Sequence, residues 1–360
     1  MSSVFIIAEA GVNHNGDPKM AFQLIDAAVK SGADAVKFQT FKAEKLVTKN
    51  AIKADYQNKT TDANESQFAM LKQLELPHEL HYELMNYCKK NRVEFLSTAF
   101  DLDSLNFLVN DLKLKTLKIS SGDITNAPLL LAHAQTNCDL ILSTGMSTLS
   151  EIEEALGVLA FGLLSNDDSI KPSIVDFQKA FSSIEGQLLL KKRVTILHCT
   201  TEYPAPPEEL NLNAMVTMRS SFQLKTGYSD HSVGITASII AVTLGAVLIE
   251  KHITLDKCLK GPDHKASLNP SELINMVDAI RMTEKAIGDG IKEPMPSELK
   301  NIPIARKSII AAKNIKKGEV FSNDNLTIKR PGTGISPMKF WEIVGKKSNF
   351  NFSQDMFIEI

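Results

Sequence analysis

The sequence predicts a (β/α)₈ barrel followed by a second, very small domain. Eight short apolar segments alternate with helical patterns, and each segment ends in a polar or charged residue. Strands that alternate with helices form a parallel sheet, and a strand buried on both faces reads as a continuous apolar run. Eight such units are typical of a closed barrel, whose active site lies at the carboxyl ends of the strands. The polar strand endings therefore predict an enzyme.

The residues that end the predicted strands set the chemistry available at that face. The segments are 4–8 into Glu9, 35–36 into Lys37 and Gln39, 93–96 into Ser97 and Thr98, 116–117 into Lys118, Ser120 and Ser121, 140–142 into Ser143 and Thr144, 194–197 into His198, 225–227 into Tyr228, Ser229, Asp230 and His231, and 246–249 into Glu250, Lys251 and His252. Helical spacing of apolar residues predicts helices over 19–31, which Asp17-Pro18 opens, and over 77–91, 151–159 and 270–287.

Two connections are too long for a plain strand–helix unit. Residues 42–76 and 162–192 are excursions of a kind that form active-site loops or peripheral decoration. The first follows Lys37 and Gln39, so we expect a lid there. The second passes through Asn166-Asp167-Asp168, and we expect decoration.

The chain changes character after residue 287, which predicts a domain boundary. Residues 288–303 contain three prolines and read as a linker between a barrel domain at 1–287 and a small domain at 304–360. The small domain contains an Arg330-Pro331-Gly332-Thr333-Gly334 loop and little apolar sequence, so it has little core of its own.

Composition excludes several classes of partner. Lys and Arg number 40 against 42 Asp and Glu, a net charge of −2, which gives no general attraction to nucleic acid or anionic membranes. Residues 232–249 are uncharged but shorter than a comfortable membrane span, and the first residues lack the pattern of a signal peptide. The four cysteines form no CxxC pair. We expect a cytoplasmic protein with reduced thiols and no membrane segment.

His231 and His252 are predicted metal ligands, because they end neighbouring strands and such ends converge on one volume. Neutral imidazole binds Mn, Fe, Co or Zn, and the nearby carboxylates of Glu250 and Asp230 complete a nitrogen and oxygen ligand set. The alternative is that each histidine only hydrogen-bonds within a loop. His198 ends the sixth strand with an uncertain direction, and we expect it to support the site from behind.

Lys37 and Lys118 are predicted to bind an anion. A lysine on a buried strand requires an anionic partner or a chemical role. Both are surrounded by hydroxyl groups that can help hold a phosphate or carboxylate: Ser97, Thr98, Ser120, Ser121, Ser143 and Thr144. Two readings stay open beside this one, a Schiff-base lysine as in covalent aldolases and ordinary surface lysines.

Glu9 and Asp263 are further candidates for the same pocket. Glu9 precedes a Gly- and Asn-rich turn at 11–16, where a carboxylate can orient a sugar hydroxyl or act as general acid or base. The turn Gly261-Pro262-Asp263-His264 follows the eighth strand and returns Asp263 toward the barrel mouth. A plain solvated turn explains either motif alone. Together with the strand ends they predict a pocket for a metal, an anion and a polyol.

The motifs, taken in order, resemble those of the bacterial sialic acid synthases. The matching segments are Ala8-Glu9-Ala10-Gly11-Val12-Asn13-His14-Asn15-Gly16, Val36-Lys37-Phe38-Gln39-Thr40, Lys118-Ile119-Ser120-Ser121-Gly122, Leu142-Ser143-Thr144-Gly145-Met146, Leu197-His198-Cys199-Thr200-Thr201-Glu202-Tyr203-Pro204, Ser229-Asp230-His231, Glu250-Lys251-His252 and Gly261-Pro262-Asp263-His264. The tail, from Arg306-Lys307-Ser308 to Lys329-Arg330-Pro331-Gly332, resembles that family's C-terminal antifreeze-like (SAF) domain.

The resemblance implies a metal-dependent, aldol-like condensation of phosphoenolpyruvate with an N-acylated mannosamine-type sugar. The products are a nine-carbon 2-keto acid and phosphate. By the same resemblance, His231 and His252 bind Mn²⁺, with Mg²⁺ or Co²⁺ as alternatives, and Arg330 of a second subunit contacts the sugar's N-acyl group in a domain-swapped homodimer. The resemblance also implies that phosphoenolpyruvate is bound by Lys37, Lys118, Ser121 and Ser143, and that the sugar is bound by Glu9, Gln39, Tyr203 and Asp263. Further substrate contacts are implied for Thr98, Asp123 and Ser229. The implied catalytic residues are Glu9, Glu250 and Asp263.

Two departures from the family pattern bear on the sugar. Asp123 stands where the family has Glu, and Ala99 stands where it has Pro. The segments 56–61, 200–206 and 288–292 resemble the legionaminate synthase branch, which uses a 2,4-diacetamido-trideoxymannose, and N-acetylneuraminate synthase is the alternative. A Schiff-base aldolase and a non-catalytic carbohydrate-binding protein are further alternatives that explain fewer of the strand-end residues.

Overall fold

A computed structural model of the chain describes residues 3–62, 64–165 and 172–360, without the side chain of Lys59. The chain divides into two compact units, one ending at Gly288 and the other spanning Asp289–Ile360.

The first unit is the predicted barrel. Eight parallel strands pair in chain order and the eighth pairs with the first, so the sheet closes. The strands are β1 (Phe5–Gly11), β2 (Ala35–Thr40), β3 (Glu94–Ala99), β4 (Thr116–Ile119), β5 (Asp139–Ser143), β6 (Val194–His198), β7 (Lys225–Asp230) and β8 (Leu248–His252). Most of the polar residues predicted to end the strands lie in the carboxyl-terminal part of the strands, as expected.

Helices surround the barrel and fill the long connections. They are α1 (Pro18–Ser31), α2 (Ala43–Leu46), α3 (Asp55–Thr60), α4 (Gln67–Leu74), α5 (His78–Asn91), α6 (Leu102–Asn106), α7 (Ala127–Gln135), α8 (Leu149–Leu164), α9 (Ile174–Ser182), α10 (Ile184–Arg193), α11 (Asn213–Phe222), α12 (Thr236–Thr243) and α13 (Pro270–Ile287). A π-helical turn at Phe107–Asp111 follows α6, and 3₁₀ turns lie at Ser121–Asp123 and Pro207–Glu209.

Capping residues fix where the predicted helices begin. The side chain of Asp17 accepts a hydrogen bond from the backbone N–H of Lys19, and Pro18 occupies the first turn of α1. Asn269 and Glu272 form a reciprocal capping box at the start of α13. The start signal Asp17-Pro18 is confirmed, and the helix predicted over 270–287 begins at Pro270.

The two excursions have helical structure of their own. Residues 42–76 form the short helices α2, α3 and α4, and the later excursion contains α9 and α10, where Phe177 packs edge-on against Phe161 of α8. Asn166-Asp167-Asp168 lie outside the described residues.

Side chains alternate between the inside of the barrel and the surrounding helices. A layer of apolar residues fills the interior: Ile7, Ala35, Leu96, Ile141, Leu197 and Leu248. Because successive side chains on a strand point to opposite faces, the residues two positions further on also point inward. Those residues are Glu9, Lys37, Thr98, Ser143, Cys199 and Glu250. The apolar layer therefore lies directly beneath the polar floor of a cavity.

The second unit has a small core around a two-stranded antiparallel sheet. Its elements are α14 (Pro296–Leu299), α15 (Ile302–Ala305), β9 (Ser308–Ala311), β10 (Leu326–Lys329), a 3₁₀ turn (Pro337–Lys339) and α16 (Phe340–Ile343). Its core is built from Ile309, Ala311, Ile315, Phe321, Leu326, Ile343, Phe352 and Ile358. Residues 288–303, which were predicted to be a plain linker, contain the helical turn α14 and the first residues of α15. The prolines do not prevent these helices, because proline is tolerated in the first turn of a helix.

Within the described residues, no helix is both long and apolar enough to cross a membrane. All four cysteines lie in the described part of the chain and none forms a disulfide.

Candidate active site

The carboxyl ends of the strands enclose a cavity of about 370 Å³ that gathers most of the predicted site residues. Its lining includes Glu9, Lys37, Gln39, Thr98, Lys118, Ser121, Ser143, Tyr203, Ser229, His231, Glu250, His252 and Asp263. A larger and more open pocket of about 1080 Å³ lies alongside, between the loops after β5 and β6, but it contains no lysine and neither His231 nor His252. The smaller cavity is therefore the candidate site.

Two lysines and two carboxylates meet on the cavity floor, and all four are buried. Lys37 Nζ lies 2.9 Å from Glu9 Oε2 and 3.5 Å from Glu250 Oε2, and it donates to Thr98 Oγ1 at 3.0 Å. Lys118 Nζ donates to Ser143 Oγ at 2.6 Å and lies 3.9 Å from Glu250 Oε1. Glu250 thus stands between the two ammonium groups.

In this cluster the carboxyl groups of Glu9 and Glu250 have very different pKa values. Burial alone would raise the pKa of Glu250, but Lys118 and Lys37 lower it to about 2. Burial raises the pKa of Glu9 to about 7, because Lys37 offsets only part of the desolvation and Glu250 adds repulsion. Glu250 therefore stays ionised at neutral pH, whereas Glu9 exchanges a proton there. Divergent carboxyl pKa values are typical of acid–base sites.

The pKa values of the two lysines are also shifted in opposite directions. Burial lowers the pKa of Lys37, but Glu250 and Glu9 outweigh it and the pKa ends above its usual value. Burial lowers the pKa of Lys118, and the Lys37 ammonium adds to that effect against the attraction of Glu250. Lys118 is the lysine with less carboxylate contact and the one better able to accept a new anion.

The two histidines face each other across the strand ends, with ring centres 5.5 Å apart. His231 donates from Nδ1 to the carbonyl of Thr200 at 2.6 Å, which leaves the Nε2 lone pair beside the Tyr203 hydroxyl at 3.1 Å. Burial lowers the pKa of His231 to about 4, and burial together with His231 holds the pKa of His252 well below its usual value. Both imidazoles are therefore neutral at pH 7.

These histidines fit a divalent metal as part of its ligand set. They are neutral, they lie close together, and Nδ1 of His252 is buried without a hydrogen-bond partner. No group of three or more His, Cys, Asp or Glu side chains in the described part of the chain has the geometry of a complete metal site. A catalytic ion characteristically leaves a coordination position open to water or substrate.

Asp263 returns to the cavity on the loop after β8, as predicted. Its Oδ2 lies 3.9 Å from His252 Nδ1, and burial raises its pKa to about 7. A chain of hydrogen bonds holds this loop: Asn13 donates to Ser267 Oγ at 2.8 Å, and Ser267 donates to the backbone carbonyl of Asp263 at 2.7 Å. The Asn-rich turn after β1 therefore positions the Asp263 loop.

Gly11 shows how closely the site is packed. It has φ of +51°, and an added Cβ would lie 3.2 Å from Glu9 Oε1, 3.4 Å from Gln39 Nε2 and 3.5 Å from His252 Cε1. A larger residue here would meet both backbone strain and three site residues at once.

Two predicted site residues are not among those that line this cavity: Asp123, which lies in the same unit, and Arg330, which lies in the second unit. The carboxylate of Asp123 accepts hydrogen bonds from Ser120 and Asn126, and it stabilises the turn after β4. Arg330 is exposed in the second unit, directly after β10. Ser121, by contrast, lines the cavity and accepts a hydrogen bond from the Gly145 backbone N–H at 3.0 Å.

Asp230 corrects one prediction, because it faces away from the cavity. Lys251 Nζ lies 3.0 Å from Asp230 Oδ2, both side chains are fully buried, and Ser232 and Ser238 also donate to the carboxylate. Asp230 is thus a partner of Lys251 in the layer between strands and helices, where it cannot act as a metal ligand. His198 also points outward, and its Nε2 lies 2.7 Å from the carbonyl of Leu210.

Sequence reasoning missed several residues in or beside the cavity. Cys199 points inward two positions after Leu197 and its Sγ lies 3.2 Å from Ser121 Oγ, and the alternation along β6 would have predicted it in place of His198. Tyr56 of α3 packs against Tyr203 with ring centres 5.1 Å apart and ring planes tilted by 34°, and Leu71 of α4 also lines the cavity. Nothing in the local pattern of residues 42–76 indicated which side chains would face the site.

Comparison with known proteins agrees with this geometry. The NeuB family model matches residues 24–292, and the SAF domain model matches residues 306–353. The chain belongs to the NeuB family. This NeuB-family chain is 51% identical to the N,N'-diacetyllegionaminic acid synthase of Campylobacter jejuni subsp. jejuni serotype O:2, over 99% of both chains. It is 45% identical to the enzyme of the same name from Legionella pneumophila, over 97% of this chain and 91% of that one.

A solved structure supports the same assignment. N-acetylneuraminic acid (sialic acid) synthetase from Leptospira borgpetersenii, crystallised with citrate, matches with a TM-score of 0.66 and 34% identity over 84% of this chain and 90% of that chain. The resemblance predicted from the motifs is confirmed, and so is the barrel with a SAF domain.

Proposed function

We propose that this chain is a nonulosonic acid synthase that condenses phosphoenolpyruvate with 2,4-diacetamido-2,4,6-trideoxymannose. The products are phosphate and N,N'-diacetyllegionaminate, a nine-carbon 2-keto acid. The observation that carries the proposal is the cavity floor, where two buried lysines face a neutral histidine pair, in a chain 51% identical to a synthase of that name.

Phosphoenolpyruvate suits the side of the cavity between β2 and β5. With Glu9 protonated, the two ammonium groups face a single ionised carboxylate, Glu250, so this side carries a net positive charge. Ser143 and Ser121 add hydroxyl donors beside Lys118 and the β5 loop. Charged and neutral donors converging on one point form an anion site.

The sugar aldehyde suits the adjoining side, where Glu9 and the histidines lie. C3 of phosphoenolpyruvate bonds to the aldehyde carbon, the aldehyde oxygen takes up a proton, water adds at C2, and the C–O bond to phosphate breaks. Glu9, with a pKa of about 7, can supply the proton that the new hydroxyl requires. His231 and His252 would hold a divalent ion, for which we propose Mn²⁺ with Mg²⁺ or Co²⁺ as substitutes, and such an ion polarises a carbonyl oxygen as a Lewis acid.

The direct test offers phosphoenolpyruvate with either candidate acceptor and follows phosphate release and product mass. We expect turnover with the diacetamido sugar, little with N-acetylmannosamine, loss of activity on chelation and recovery with Mn²⁺. Preferential use of N-acetylmannosamine would overturn the acceptor assignment. Full activity of a His231→Ala, His252→Ala double variant in metal-free buffer would overturn the metal assignment.

One observation favours a second candidate, a Schiff-base aldolase that uses Lys118. Burial lowers the pKa of Lys118, as an amine nucleophile requires. Borohydride reduction in the presence of substrate separates the two reactions: a covalent adduct on Lys118 supports the aldolase, and its absence supports condensation without an imine.

We propose further that the enzyme is a domain-swapped homodimer in the cytoplasm, in which Arg330 completes the sugar site of the partner. Charge supports the association: residues 289–360 carry 12 Lys and Arg against 8 Asp and Glu, whereas residues 1–288 carry 28 against 34. Four unpaired cysteines fit a reducing compartment.

Mixing two inactive variants tests the shared site. If Arg330→Ala and His231→Ala chains exchange subunits at random, about a quarter of all sites should regain both wild-type residues. No recovery despite verified exchange would place Arg330 outside the partner's site.

A further inference from the structure

The first excursion and the loops after β1 and β3 together build an apolar surface over the active-site cavity. Val12, Met70, Leu71, Leu74 and Phe100 line the cavity and belong to one hydrophobic cluster, separate from the core of the barrel. We call these five residues the apolar roof. They come from the loops after β1 and β3 and from α4, so the roof covers the sector in which Glu9 and Thr98 stand on the floor.

Interactions on the outer face of α4 hold the roof in place. Ser66 caps α4 by accepting from the Ala69 N–H at 3.2 Å, and Lys72 bonds Glu44 of α2 at 2.8 Å. Met70 and Leu74 are buried one helical turn apart, while Leu71 and Phe100 are only partly buried. The partly buried pair is therefore the part of the roof with most surface left for a ligand.

Floor and roof impose a direction on the acceptor. The reacting carbon of an open-chain sugar is C1, and it must reach the floor, where the lysines, Glu9 and the histidines lie. C6 is the carbon farthest from C1, so it extends toward the roof. Gln57 and Gln67 line the same side of the cavity and offer amide partners for acetamido groups.

We propose that the apolar roof selects acceptors whose C6 is a methyl group rather than a hydroxymethyl group. This inference rests on the proposed synthase function and adds to it the residues that read the far end of the sugar. A C6 hydroxyl placed against aliphatic and aromatic carbon loses its hydrogen bonds to water without replacement. Apolar pockets discriminate against one added hydroxyl by roughly 100-fold at most.

A matched pair of substrates isolates this contact. We compare 2,4-diacetamido-2,4,6-trideoxymannose with 2,4-diacetamido-2,4-dideoxymannose, which differs only by the C6 hydroxyl, and measure kcat/KM from phosphate release. Wild-type enzyme should prefer the 6-deoxy sugar by about 10- to 100-fold. Leu71→Gln should reduce that preference by roughly tenfold, by supplying a hydrogen-bonding group, and should leave the KM for phosphoenolpyruvate unchanged.

Three control variants separate the roof from general damage. Leu71→Met keeps the surface apolar and should keep the preference. Leu188→Gln makes the same chemical change on the exposed surface of α10 and should also keep it. Phe100→Tyr adds a hydroxyl to the second partly buried roof residue and should lower the preference even if Leu71→Gln folds poorly.

The possible outcomes distinguish this inference from the proposed function. If phosphate is released with the 6-deoxy sugar but the preference is the same in wild type, Leu71→Gln and Phe100→Tyr, the roof does not read C6 and only the inference fails. If the wild-type enzyme shows no preference between the two sugars, the inference fails in the same way. If phosphate is released with neither acceptor, the proposed function fails and the inference with it.

Discussion

Replacing Lys118 with alanine should weaken the binding of phosphoenolpyruvate more than it affects any later step. The ammonium group is buried and held by Ser143 Oγ at 2.6 Å and by the Ile119 carbonyl at 3.1 Å. Its nearest carboxylate oxygen, on Glu250, lies 3.9 Å away, so much of its charge is available to a bound anion. A hydrogen bond to a charged group contributes roughly 1.5–3 kcal/mol. The expected increase in KM is therefore roughly 10- to 150-fold.

The variant should remain folded, because Glu250 keeps two other partners. Lys37 Nζ lies 3.5 Å from one carboxylate oxygen and Ser229 Oγ donates to the other at 2.9 Å. The assay is steady-state phosphate release at saturating acceptor, with phosphoenolpyruvate varied over at least two decades beyond the wild-type KM. Lys251→Met is the matched control, since Lys251 is also a buried strand lysine but pairs with Asp230 outside the cavity. It should lower stability and leave the KM for phosphoenolpyruvate unchanged.

One outcome would refute the role of Lys118 in binding phosphoenolpyruvate. If Lys118→Ala abolishes kcat while the KM for phosphoenolpyruvate stays at its wild-type value, Lys118 takes part in covalent or proton-transfer chemistry. An equal rise in KM in Lys251→Met would instead mean that the effect reflects general loosening of the barrel.

Three further predictions concern stability and packing. Asp230→Ala should lower the free energy of unfolding by about 3–5 kcal/mol, because it leaves the buried Lys251 ammonium unpaired. Urea denaturation followed by far-UV circular dichroism measures the loss, and a value below about 1 kcal/mol would contradict the prediction. Burial lowers the pKa of His133 from 6.5 to about 4, so folding favours the neutral imidazole. This contribution to the free energy of unfolding should be fully present above pH 6.5 and should fall by up to about 3 kcal/mol toward pH 4. The His133→Gln variant should lose less stability over the same pH range. Gly145→Ala should raise the KM for phosphoenolpyruvate, since the new Cβ would clash first with Thr201 Oγ1 and would also lie 2.9 Å from Ser121 Oγ, so both hydroxyls must move; an unchanged KM would argue against a role for Ser121 in the anion site.

Much of the barrel could be predicted because its causes are local. Apolar runs, helix caps such as Asp17, and polar strand endings each act over a few residues, and they place the strands in order around the cavity. The direction of a side chain at a strand end depends on alternation relative to a buried neighbour. Counting by twos from Leu248 places Glu250 and His252 inward and Lys251 outward, and the same count would have assigned Asp230 to Lys251 rather than to a metal.

The excursions could not be predicted in the same way. The contacts of Tyr56 and Leu71 with the site depend on how α3 and α4 fold back over the mouth, which is a long-range property. Arg330 belongs to a different unit, so the role proposed for it depends on association of subunits rather than on local sequence.

The separateness of the cluster that contains the apolar roof has an evolutionary consequence. Residues that lie in a core of their own can change without disturbing the packing of the barrel beneath them, so the bond-forming groups and the surface above them can drift independently. A lineage could acquire a new acceptor through substitutions in residues 42–76 and at Val12 and Phe100 while its lysines and histidines stay fixed. Grafting these positions together between relatives should therefore transfer sugar preference as a single inherited block.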